Sequence, residues 1–278
     1  MEFILDLSMQ EFLLFSYGIT LLILCPLIFL AAFIDSIAGG GGLISLPAYL
    51  FVGIPIHTAY GTNKFSSTMG TLMAMGNYFR KGYVDYSAAL SGGIAAFFGS
   101  LAGTFLALSL SPYVLQISLM IILPLVAIFM FTRQSLKKIF SININIFSRI
   151  NVQDNFRFKI ILCSLIGLVL GTYDGFFGPG TGMFITILLS GIIKLDLIKS
   201  AGTARVINFS SNIASMTTWL VNGKILFPVA IPCMLSAILG GFIGSRLAIK
   251  IGSKFIRIVL AIVASLLFIR ILMDLLNI

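Results

Sequence analysis

Two stretches of this 278-residue chain place an acid just ahead of a glycine cluster. Asp35 precedes Gly39, Gly40, Gly41 and Gly42 in "DSIAGGGGLISLP", and Asp174 precedes Gly178, Gly180 and Gly182 in "YDGFFGPGTGMF". Each is followed by a Gly-Thr pair and a cation: Thr62, Asn63 and Lys64 in "YGTNKFSS", Thr203 and Arg205 with Asn208 in "AGTARVIN". Glycine inside a helix costs about 1 kcal/mol relative to alanine, so such clusters break helices rather than extend them. A break leaves backbone N–H groups free at the start of the next half-helix, and that end attracts anions. One cation from each segment would then offset the desolvation of a bound sulfonate, sulfite or carboxylate, with Thr62, Asn63, Thr203 and Asn208 supplying neutral hydrogen bonds.

Each of these assignments has a plainer counterpart that the sequence leaves open. The glycines can serve close helix packing alone. Lys64 and Arg205 can neutralise an aspartate or reach a lipid headgroup. Asp35 and Asp174 can hold unwound backbone or carry a coupling proton.

The elements that must hold these residues are set by composition. Hydrophobic residues make up 59% of the chain and charged residues 10%, and the mean hydropathy is +1.09. These values place the chain in a bilayer. Apolar runs fall at roughly 12–34, 86–110, 113–132, 159–173, 225–249 and 255–273, several long enough to span as helix. Shorter or more polar runs fall at 43–55, 65–79, 183–193 and 206–222. Those at 43–55 and 183–193 are too short for a straight span and predict broken or re-entrant helices. The runs are continuous rather than alternating, which argues against a transmembrane barrel.

The chain also aligns with itself. Asp35 faces Asp174 at an offset of 139, Gly61 faces Gly202 at 141, and "GSLAGTFLA" from Gly99 faces "GGFIGSRLA" from Gly240 at 141. So regular an offset indicates internal duplication. The expected architecture is all-α and polytopic: a first repeat over 1–132, a basic linker over 133–158 and a second repeat over 159–278. With about five helical segments per repeat, Arg80, Lys81, the linker, Lys194, Lys199, Lys250 and Lys254 fall on the cytoplasmic side and chiefly Lys224 outside. An odd number per repeat makes the two inverted, as in many secondary transporters.

The net charge of +9 is explained by this topology rather than by nucleic acid. Cys25, Cys163 and Cys233 lie in apolar runs without metal or redox spacing and read as core or lipid-facing residues. His57, the single histidine, falls in "GIPIHTAYG", read as an external loop. Trp219 reads as an interfacial anchor. Gly99 with Gly103 and Gly240 with Gly244 are small-xxx-small pairs suited to packing between repeats or to self-association as a homo-oligomer.

At the glycine breaks and at "GTNK" the chain resembles the sulfite exporter TauE/SafE family of bacterial membrane permeases, over nearly its whole length. The resemblance implies transport of small anions, notably sulfite and organosulfonates, across the bacterial cytoplasmic membrane. Its motif residues fall here on Gly39, Gly42, Pro47, Gly61, Thr62 and Asn63, and on Gly178, Gly182, Gly202 and Thr203. Ile187 stands where Pro47 would align, and Ala204 where Asn63 would, so the halves are chemically unequal.

The expectation is a secondary transporter of a small anion, not an enzyme, that needs no cofactor and no metal and couples to a proton or sodium. An anion channel, a membrane-embedded enzyme and a structural subunit are the alternatives. No Walker-type motif for nucleotide hydrolysis is present.

Overall fold

The computed structural model describes residues 13–122 and 155–252. Among them every regular element is a helix: α1 (Tyr17–Ala38), α2 (Gly42–Phe51), α3 (Ile56–Arg80), α4 (Tyr86–Ser109), α5 (Pro112–Ile122), α6 (Phe156–Phe176), α7 (Thr181–Gly191), α8 (Leu197–Val221) and α9 (Phe227–Ile251). The linker, the N-terminal twelve residues and the apolar run at 255–273 lie outside the described residues.

Helix boundaries follow local chemistry. Asp85 caps α4 by accepting the Ala88 N–H, Asn155 caps α6 through Phe158, and Asp196 caps α8 through Ile198 and Lys199. Helix α1 stops where Gly39 turns left-handed at φ 85°, its N–H returning to the Asp35 carbonyl. As the sequence predicts, α2 and α7 are short, at 10 and 11 residues.

Helices α1, α4, α6 and α9 are long and apolar enough to cross a membrane. Their outer faces carry exposed Leu22, Leu90, Phe98, Ile161, Leu165, Leu235 and Leu239, as lipid contact requires. Helices α3 and α8 differ. Each has 25 residues, about 37 Å at 1.5 Å per residue, yet both bury polar side chains because protein rather than lipid surrounds them. The apolar runs at 65–79 and 206–222 therefore underestimate these helices, whose second and third turns hold the "GTNK" and "GTAR" segments.

Packing crosses between the halves of the chain. Helix α9 lies along α1 and α3, helix α4 lies along α6 and α8, and α3 and α8 meet in the middle. Backbone supports this crossing. A Cβ on Gly240 would stand 2.3 Å from the Phe29 carbonyl oxygen of α1, and one on Gly103 would stand 2.0 Å from that of Thr172 in α6. The small-xxx-small pairs thus pack helices within the chain.

Two expectations are corrected. His57 lies in the first turn of α3 rather than in an external loop, half-buried with its ring 6.0 Å from that of Trp219. Trp219 is fully buried instead of sitting at an interface, its ring tilted against those of the α3 residues His57 and Tyr60. A single tryptophan at a helix end fits both environments by composition; the neighbouring α3 decides between them. Cys163 and Cys233 are buried, Cys25 is half-buried, and all three are free thiols.

Candidate functional site

The two glycine breaks lie against each other. The Met183 N–H at the start of α7 donates to the Gly39 carbonyl at 2.9 Å. A Cβ on Gly39 would stand 2.3 Å from both Gly182 C and Met183 N, so no other residue fits there. Gly42 approaches Pro179 in the same way.

Four charged side chains surround this contact and pair across the halves. The Arg205 guanidinium of α8 donates through Nη1 to the Asp35 carboxylate at 2.9 Å and to the Asp35 carbonyl at 2.6 Å. Lys64 of α3 donates to Asp174 of α6 at 2.7 Å and to the Asn212 side-chain oxygen at 2.9 Å. Ser211 also donates to Asp174. Arg205, Lys64 and Asp174 are 0%, 3% and 2% exposed. Charges buried this deeply persist only when paired, because an unpaired one loses its hydration without return. The four groups together carry no net charge.

Both half-helix starts have protein partners. Oδ1 of Asp35 accepts the Gly41 N–H at 3.1 Å, so an internal carboxylate sits at the start of α2 where an external anion was expected. At α7 the Arg205 guanidinium fills the space beside Gly182, and Met183 is tied to Gly39.

Beside the breaks lies a cavity of about 50 Å³, room for roughly four water-sized atoms. Asp35, Gly41, Gly42, Asn63 and Lys64 line it from the first half. Asp174, Gly178, Gly182 and Asn208 line it from the second. Asn63 and Asn208 are 8% and 5% exposed, and the side-chain oxygen of each is buried without a partner among the described residues.

Gly39, Gly40, Gly180 and Arg205 stand behind this wall. Thr62 and Thr203 do so too, with their hydroxyls engaged elsewhere. Thr62 Oγ1 accepts the Leu226 N–H at the start of α9, at 3.1 Å, and Thr203 Oγ1 accepts the Asp85 N–H at the start of α4, at 2.9 Å. The glycine before each threonine admits the neighbouring chain: a Cβ on Gly61 would stand 2.0 Å from the Lys224 carbonyl oxygen, and one on Gly202 would stand 2.0 Å from that of Tyr83.

The sequence reading missed Ser67, Thr71 and Asn212, which also line the cavity. A signal was present. Lys64, Ser67 and Thr71 recur at helical spacing on one face, and Arg205, Asn208 and Asn212 repeat that spacing in the second half.

The chain matches the family described as sulfite exporter TauE/SafE over residues 24–271. It belongs to that family. Among TauE/SafE relatives, a "Probable membrane transporter protein" of Haemophilus influenzae is 35% identical over 88% of this chain and 92% of its own length. The "Probable membrane transporter protein ORF9" of a Sinorhizobium species is 34% identical over 88% and 90%. "Probable membrane transporter protein YfcA" of Escherichia coli K12 is 28% identical over 88% and 87%. No solved structure matches. Family, relatives and helices together make this TauE/SafE protein a polytopic membrane transporter.

Proposed function

We propose that the chain is a secondary transporter of a small anion, sulfite, an organosulfonate or a related carboxylate, in the bacterial cytoplasmic membrane. The anion binds in the cavity at the crossed helix breaks, and that site opens to each side in turn. One observation carries the reading: the cavity presents a lysine and two asparagines, whose side-chain oxygens have no partner among the described residues, beside two broken helices. The two Asn amides can rotate to aim N–H groups at an anion, while Lys64 supplies charge.

The crossed arrangement supports two inverted repeats rocking about the site. Thr62 and Thr203 are 141 residues apart, as are their partners Asp85 and Leu226. Because α4 begins just after α3 ends, the bond from Asp85 to Thr203 brings the start of α8 to the end of α3. The equivalent helices α3 and α8 therefore run in opposite directions, which is what inversion requires.

The test is uptake of labelled sulfite, sulfoacetate and a carboxylate control into liposomes holding the pure protein. Saturating flux of a sulfur anion, weakened by Lys64→Gln, is expected. Flux that never saturates would indicate a channel and overturn the alternating site.

A further inference from the structure

An anion entering this cavity adds charge to a set that already sums to zero. Asp35 cancels Arg205, and Asp174 cancels Lys64. Inside a bilayer an uncompensated charge is strongly disfavoured, so a cation must accompany the anion.

The two carboxylates are not equally able to receive it. Asp35 has both oxygens committed, Oδ1 to the Gly41 N–H and Oδ2 to Arg205, and protonation there would release the helix break. Its partner is a guanidinium, which keeps its proton and stands behind the cavity wall. Asp174 is different. Lys64 and Ser211 both bind its Oδ2, and its Oδ1 has no hydrogen-bond partner among the described residues. Lys64 lines the cavity and spends two of its three N–H donors on Asp174 and Asn212, leaving one for an anion.

We infer that Asp174 takes up one proton when the cavity binds an anion, so that proton and anion cross together; the inference rests on the anion-transport reading above. The anion competes with Asp174 for the Lys64 ammonium. Asp174, 2% exposed, then accepts a proton from hydronium on the open side: an O–H bond forms at Oδ1, one O–H bond of the hydronium breaks, and neutral water is left. A monoanion plus one proton leaves the site neutral and crosses without moving charge, whereas a dianion with one proton carries one negative charge. The groups facing Asp174 are Lys64 from α3, Ser211 and Asn212 from α8 and Tyr173 from its own helix. Asp35 lies across the cavity with Arg205 behind it.

Liposomes with an internal pH dye test this with labelled sulfite beside methanesulfonate, whose charge is fixed. An acid-outside gradient should drive accumulation of the probe and acidify the lumen, and a sodium gradient should do neither. In Asp174→Asn the gradient-driven accumulation should be lost while labelled probe still exchanges with unlabelled; Asp174→Glu should restore it. If the variants do not fold, lumen pH in the wild type decides alone. Probe flux without lumen acidification, or driven by sodium, overturns the proton and leaves the transporter reading standing. No flux of either probe by folded wild type overturns that reading and the coupling with it.

Discussion

Asp35 and Arg205, 170 positions apart, meet at 2.9 Å where the two helix breaks cross. Arg205 reaches the Asp35 backbone as well as its carboxylate, so the pair fixes the position of the break and not only its charge. Removing Asp35 leaves the fully buried Arg205 charge uncompensated, at a cost of about 3–5 kcal/mol, and removing Arg205 leaves a partly exposed carboxylate and the Asp35 carbonyl without their donor. Thermal unfolding in detergent should show Arg205→Gln and Asp35→Asn each strongly destabilised and the double variant less so than their sum. Arg205→Lys should not restore stability, because an ammonium cannot span the same acceptors. Additive losses would mean that the pair is not coupled.

Thr62 and Thr203 should behave as structural residues. Thr62→Val or Thr203→Val leaves the N–H of Leu226 or Asp85 without its acceptor, costing about 1–3 kcal/mol. Melting temperature should fall while the half-saturation concentration for the transported anion stays unchanged. A large rise in that concentration with unchanged stability would place these hydroxyls on the substrate instead.

Asn63 and Asn208 should behave in the opposite way. Each lines the cavity with an oxygen that has no partner among the described residues, and loss of one hydrogen bond to a charged ligand costs about 1.5–3 kcal/mol. Asn63→Ala and Asn208→Ala should each raise the half-saturation concentration by about tenfold or more, with melting hardly changed. Flux kinetics unaffected by both would move the anion elsewhere in the fold.

Gly39→Ala should fail to assemble. The added methyl would stand 2.3 Å from the α7 backbone at a position whose φ is 85°, and the packed break has nowhere to move. Gly18→Ala is the control, since open space surrounds that residue. Normal yield and melting for Gly39→Ala would contradict the contact between breaks.

At the start of α4, burial disfavours ionisation of Asp85, but bonds from Lys159, the Ala88 N–H and Ser87 outweigh it and hold the carboxyl below its ordinary value. A lowered folded-state value means that Asp85 contributes stability above the unfolded carboxylate range, near pH 3.9, and loses it as pH falls through the lowered value. Melting followed from neutral pH downward should show this loss, and Asp85→Asn should flatten it. Lys159 donates to both oxygens at 2.8 Å, so Lys159→Gln should shift the loss toward higher pH.

Much of the site could be read from residue types. The acid, glycine cluster, Gly-Thr and cation recur at nearly constant offset, and the broken helices follow from glycine alone. Partner choice could not be read: spacing places Asp35 and Lys64 in one half, and only the crossed packing of α1 on α9 and α4 on α6 sends each to the other half. The Gly-Thr pairs looked like ligands because small polar residues suit a substrate and a backbone clamp equally. The placement of Trp219 and His57 failed for the same reason, since burial there is created by a helix distant in sequence. The polar stripe at Lys64, Ser67 and Thr71 is legible, since residues three and four apart share one helix face.

The exchange of partners between halves also sets an order of events during synthesis. Lys64 waits for Asp174, 110 residues downstream, which at ribosomal speed is roughly 5–20 s. Arg205 and the clamp at the start of α9 arrive later still. Until then the first half sits in the membrane with a charged helix and an open break. It cannot mature as a finished unit, and chaperones or proteases of the membrane have that interval in which to act on it.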